Sequence, residues 1–115
     1  MEIFINVLSD EVISIVIEGD FTIAETSLFD SIVFPVFNRD RNNIVLDMVG
    51  LTFIDSFGIG KLFSAINIAR LKGKELYIMN VREDIENLFN TVKLFKHYNL
   101  INRKELESRF GIKGA

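Results

Sequence analysis

The segment Asp55-Ser56-Phe57-Gly58-Ile59-Gly60 is the one grouping in this 115-residue chain whose residue types and spacing suit chemistry. A hydroxyl sits beside a carboxylate where a strand pattern gives way to a helical one. Ser56 is expected as the N-cap of that helix, its hydroxyl aimed at free N–H groups of the first turn. Gly58 and Gly60 fall in the first turns, where each costs about 1 kcal/mol relative to Ala. Stability alone therefore predicts neither glycine. Glycines at a helix start let another backbone or a phosphate come close. Phe57 follows the cap directly and is expected to be exposed, as a contact for a partner. Asp55 adds a carboxylate beside the hydroxyl, and Asp20 comes from a strand end that the fold can bring near. On spacing alone, a functional site and a plain helix cap both remain open.

Other chemistries have less support. The two glycines make no dinucleotide fingerprint, because the third glycine is missing, and no G-x-x-x-x-G-K-[ST] loop occurs. With no Cys in the chain, disulfides, zinc–thiolate sites and Cys nucleophiles are excluded. His97, the single histidine, lies in Lys96-His97-Tyr98 without a second ligand at metal spacing and reads as structural. Asp20 and Asp55 as a glycosidase pair would need sugar platforms, and Trp is absent. Lys93, Phe95 and Lys96 are too few for a nucleic-acid surface, and a net charge of −3 without a basic run points the same way. Asp30 and Asp40 are scattered acids, while Asp47 is placed to order a strand end. The first residues alternate and do not resemble a signal peptide, and no apolar run approaches the ~20 residues of a membrane span. The expectation is a cytoplasmic domain with no metal, no cofactor, no nucleic acid and no membrane insertion.

The elements that must position the segment follow from periodicity. Ile3, Ile5 and Val7 alternate with Glu2, Phe4 and Asn6, a strand period. Ser9-Asp10-Glu11 is a polar break of hairpin length, followed by the β-branched run Val12–Ile17. Gly19-Asp20 is expected to end that second strand. Leu28, Phe29, Ile32, Val33 and Val36 recur at helical spacing within a helix from about Ala24 to Phe37, which Pro35 should kink or end early. Ile44-Val45-Leu46 with Met48 reads as a short interior strand. Ile59, Leu62, Phe63 and Ile66 mark the next helix, with Gly73 as its stop and Arg70 and Lys72 in its last turn. Glu75–Met79 is a strand and Arg82–Phe89 a helix. Leu94–Leu100 is ambiguous and has room for a short strand. Asn102 is expected to cap a last helix ending at Gly111. The order ββαβαβαβα argues for an α/β domain over residues 1–112, a mixed, mostly parallel sheet with an N-terminal hairpin and about four helices, then a loose tail at 113–115. Hydrophobic residues at 49% suit a packed core, and 11 Phe suit a Phe-rich one.

Ile44-Val45-Leu46-Asp47, followed by Phe53-Ile54-Asp55-Ser56-Phe57-Gly58-Ile59-Gly60, resembles the core signature of STAS domains, and is most similar to bacterial anti-sigma factor antagonists. Gly19-Asp20 resembles the turn after that family's second strand, and Lys72-Gly73-Lys74-Glu75-Leu76 its helix-to-strand link. The resemblance implies a regulatory non-enzyme in which Ser56 is phosphorylated by an ATP-dependent serine kinase, often the anti-sigma factor itself. The unphosphorylated form would bind that partner, and a PP2C-type phosphatase would reset the switch. Asp55, Gly58 and Gly60 match the family's acid and glycines. Partner contacts are expected at Asp20, Thr22, Asp55, Ser56, Phe57, Gly58, Ile59, Gly60 and Lys61. Two departures stand out: Phe57 occupies a position usually held by a small residue, and Thr22 stands near where a second acid is common. Two other readings are a STAS scaffold in a stressosome-like or lipid-transport assembly, with Ser56 as a plain cap, and a nucleotide-binding module.

Overall fold

The computed structural model describes residues 1–91 and 99–112. Strand β1 (Glu2–Val7) and strand β2 (Val12–Phe21) form an antiparallel hairpin. Its turn closes with Leu8 N–H donating to the Val12 carbonyl at 2.9 Å. Strands β3 (Asn43–Ile54), β4 (Glu75–Met79) and β5 (Asn99–Leu100) follow in parallel, and the sheet order is the chain order. The mixed, mostly parallel sheet with its N-terminal hairpin is thus the expected architecture.

Helices α1 (Thr26–Val33), α2 (Ser56–Leu71) and α3 (Glu83–Thr91) share one core with Ile13, Ile15, Ile17, Ile44, Leu46 and Ile78. Helix α4 (Arg103–Phe110) covers the opposite face, where Leu106 meets Val45, Tyr77 and Met79. The alternation of strand side chains accounts for the two layers. Part of the Phe surplus is an aromatic path at one end of the core: Phe21 to Phe29 at 4.9 Å, Phe29 to Phe34 at 6.5 Å, Phe34 to Phe37 at 5.9 Å.

Element ends follow local chemistry where local chemistry is strong. Pro35 ends α1 early, and the chain continues as a 3₁₀ turn over Phe34–Asn38. Gly73, at φ +75°, ends α2 in a paired cap: Lys74 N–H donates to the Ala69 carbonyl and Gly73 N–H to that of Arg70. Asn102 and Glu105 cap α4 reciprocally, and Gly111 terminates it at φ +66°. Asp47, expected to order a strand end, lies instead within β3, where it accepts from Val49 N–H and the Asn80 amide beside the end of β4.

Two strands run further than local signals imply. Gly19-Asp20 does not end β2. It forms an irregularity within the strand, with Gly19 at φ +91°, and pairing with β3 resumes to Phe21. β3 is twelve residues long rather than short, and its second half pairs with β2 alone. Glu18 lies over Gly50, where an added Cβ would come within 2.5 Å of its side chain. Of the ambiguous Leu94–Leu100 stretch, only Asn99–Leu100 is described, as β5. Lys93, Phe95, Lys96 and His97, and the 113–115 tail, lie outside the described residues.

Candidate functional site

The ends of β2 and β3 carry the site. Asp55 follows β3 directly, and its N–H donates to the Phe21 carbonyl at the end of β2, at 3.1 Å. Asp55, not Ser56, is the N-cap of α2. Its backbone is extended, and its Oδ1 accepts from Gly58 N–H at 2.9 Å. Its Oδ2 accepts from Ile23 N–H at 3.1 Å, across the junction. One carboxylate therefore fastens the turn after β2 to the start of α2. Both oxygens are engaged, one toward each side of the junction, where a serine hydroxyl would offer a single oxygen atom.

Ser56 becomes the first helical residue. Its side chain is exposed and makes no hydrogen bond to a described residue. The first turn retains two N–H groups, those of Ser56 and Phe57, with no partner among the described residues, because Gly58 and Ile59 donate to Asp55. An exposed hydroxyl beside two free amides at the positive end of a sixteen-residue helix suits reception of an anion.

The two glycines differ. Gly58 is buried, and a Cβ there would fall 2.5 Å from the Phe21 carbonyl oxygen and 2.8 Å from Ile54. It admits the chain's own strand end, not an outside ligand. Gly60 faces open space, with nothing within 4 Å of an added Cβ. Gly60→Ala is accordingly expected to stabilise the fold by up to about 1 kcal/mol through helix propensity. Gly58→Ala should cost about 1–3 kcal/mol through overpacking. Urea unfolding of the two variants checks both signs, and equal effects would refute the distinction.

The remaining expected contacts divide. Phe57 is 55% exposed, and so, to similar degrees, are Ile23 at 57% and Phe53 at 53%. Ile23 is bonded to Asp55, and Phe53 pairs with Asp20. All three belong to the backbone segments that meet at the Ser56 end, an apolar collar of which sequence reasoning found only Phe57. The signal for the other two is an apolar residue beside a polar break and outside any buried period. Asp20 is exposed at this end, its Oδ1 accepting from the Thr52 hydroxyl at 2.8 Å. Thr22 spends its hydroxyl capping the 3₁₀ turn Ile23–Glu25.

Ile59, expected at the contact surface, is instead only 6% exposed and belongs to the core. Gly58 is likewise buried and offers no surface. Lys61 is tied to Asp30 of α1 at 2.9 Å and lies over the Phe34 ring, so its charge serves helix packing. No group of three metal-ligating side chains occurs among the described residues. No helix among them is long and apolar enough to cross a membrane.

The family model of the STAS domain matches residues 6–106. The chain belongs to the STAS family. Among solved structures, it resembles SpoIIAA, an anti-sigma factor antagonist, in its unphosphorylated form. The TM-score is 0.73 at 13% identity, over 99% of this chain and 100% of that one. The phosphorylated form of the Bacillus SpoIIAA superposes with a TM-score of 0.72 at 14% identity, over 95% and 99% of the two chains. TM1081 of Thermotoga maritima, provisionally described as an anti-sigma factor antagonist, gives 0.79 at 19% identity, over 96% and 94%. At these identities the likeness is one of fold. The STAS fold of the anti-sigma factor antagonists is therefore the architecture that places Asp55 and Ser56 at the strand-to-helix junction.

Proposed function

We propose that this STAS domain is a phosphoswitch of the anti-sigma factor antagonist kind, with Ser56 as its acceptor. In the unphosphorylated form it binds an anti-sigma factor or serine kinase through Ser56, Phe57, Gly60, Asp20 and the surrounding apolar collar. The kinase transfers the γ-phosphoryl group of ATP to Ser56 Oγ. The hydroxyl proton passes to a base on the kinase, and ADP leaves. A PP2C-type phosphatase hydrolyses the ester and resets the switch. In this reading the chain supplies an acceptor and a docking surface, carries out no catalysis itself, and works in the cytoplasm, where ATP is available.

The observation that carries this reading is the division of labour between Asp55 and Ser56. Asp55 holds the cap, so the neighbouring hydroxyl is spare. Esterifying it breaks no helix bond. The phosphate, with about −1.5 to −2 charges, is met by the free Ser56 and Phe57 N–H groups and the helix dipole. Asp55, one residue away, opposes that charge but stays fixed by its own two donors. The fold is retained while the surface changes sign.

The test is incubation of the chain with a serine kinase encoded beside it and ATP, followed by site mapping by mass spectrometry. Stoichiometric modification at Ser56 is expected, and modification elsewhere, or none, overturns the reading. One feature favours a second reading. The bulk of Phe57 beside the hydroxyl narrows a kinase's approach, as suits a STAS scaffold that docks through the same apolar collar without phosphorylation.

A further inference from the structure

The structure assigns a second role to the free edge of β1: antiparallel pairing with β1 of a second copy of this chain, about a two-fold axis at Ile5. The backbone directions support it. Leu8 N–H donates to the Val12 carbonyl in the register that pairs Val7 with Ile13 and Glu2 with Glu18. In an antiparallel ladder, hydrogen-bonded pairs alternate with non-bonded ones. Asn6, Phe4 and Glu2 therefore direct their backbone groups toward β2. Ile3, Ile5 and Val7 direct theirs outward, where no described strand lies. On the far side of β2, Asn43 N–H donates to the Glu11 carbonyl, as the same parity requires.

Among the described residues, this edge lacks the usual protection. Natural edge strands carry Lys, Pro, a bulge or a cover. β1 has no Lys or Pro, its register with β2 is uninterrupted, and its one charge is Glu2 at the end. The opposite edge, β5, is only two residues long.

A second copy fits one register. With the axis at Ile5, Ile3 meets Val7 of the second copy, Ile5 meets Ile5, and each outward N–H and C=O of the three residues finds a partner. Ile3, Ile5 and Val7 share the helix-side face with Ile17, Ile15 and Ile13. Their side chains therefore form one apolar seam, which covers Val7, now 52% exposed. On the other face Phe4, 44% exposed, becomes the diagonal neighbour of its own counterpart, within reach for aromatic rings. Glu2 falls opposite Leu8. Moving the axis to Asn6 instead sets Glu2 against Asp10, and moving it to Phe4 leaves Val7 with no strand residue opposite. The contact is isologous and closes at two copies.

Sedimentation velocity from low micromolar to near-millimolar concentration tests the pairing. A concentration-dependent dimer is expected, with the Ile3, Ile5 and Val7 amides gaining hydrogen-exchange protection as it forms. Val7→Lys places a charge in the seam at an exposed position and should raise the dissociation constant at least tenfold. Ile5→Pro removes an outward N–H that the β1–β2 ladder does not use, as an edge strand tolerates, and should act likewise. Asn99→Lys, on the far edge, should leave the dimer intact. A chain that stays monomeric throughout, or a dimer indifferent to Val7→Lys, overturns the proposal.

Discussion

Ser56→Asp is expected to weaken binding to the cognate kinase or anti-sigma partner by about a hundredfold or more, while Ser56→Ala leaves it nearly unchanged. The collar of Ile23, Phe53 and Phe57 makes the docking surface apolar. A charge fixed at its centre must be desolvated on binding, and like charge on the partner adds to the cost. Such misplacement costs several kcal/mol, and each 1.4 kcal/mol is about tenfold. Titration calorimetry with the purified partner measures it. Because Asp55 holds the cap and Ser56 makes no bond to a described residue, both variants should unfold within about 0.5 kcal/mol of the parent, the range of surface substitutions. If Ser56→Asp binds as tightly as the parent, the switch fails and the scaffold reading stands. If Ser56→Ala alone destabilises by about 1 kcal/mol, the serine is a cap after all.

The second large effect is on stability. Asp55→Ala is expected to destabilise the fold by about 2.5–4 kcal/mol. Loss of the cap accounts for about 1 kcal/mol, and loss of the charge-assisted bond from Ile23 N–H for about 1.5–3. Asp55→Asn keeps one acceptor oxygen and should cost less than half as much. Urea denaturation monitored by circular dichroism gives both values. A loss below about 0.5 kcal/mol for Asp55→Ala, an ordinary surface value, would mean that the two bonds do not fasten the junction. The ladder Ser56→Ala, Asp55→Asn, Asp55→Ala thus separates the residue that signals from the residue that holds.

Much of this architecture was legible because its signals are local. Gly73 ends α2, Asn102 and Glu105 cap α4, Pro35 shortens α1, and Glu75–Met79 has the expected bounds. What was not legible depends on partners distant in sequence. Asp55 and Ser56 are both good cap residues, and nothing in the dipeptide chooses between them. The choice is made by Ile23 N–H, which arrives from across the junction and needs a second oxygen. Gly19 reads as a breaker and β3 as a short strand, yet β2 continues through Gly19 and β3 past Met48, because pairing across the sheet outweighs local propensity. Ile59 lay on the apolar stripe of α2 and also within the signature motif. Burial decided for the stripe. Lys61 was expected among the partner contacts, and the Asp30 that holds it comes from another helix, 31 residues away in sequence.

The unequal length of the central strands has a mechanical consequence. β4 accompanies β3 only from Asn43 to Asp47, so Gly50–Ile54 projects beyond it with β2 alone as escort. The end that carries Ser56 is a two-stranded extension of the sheet, anchored by Phe21, Leu51 and Ile54 in the main core and by Asp55 at its tip. A partner docking at Ser56 would meet a surface already held in place by the core.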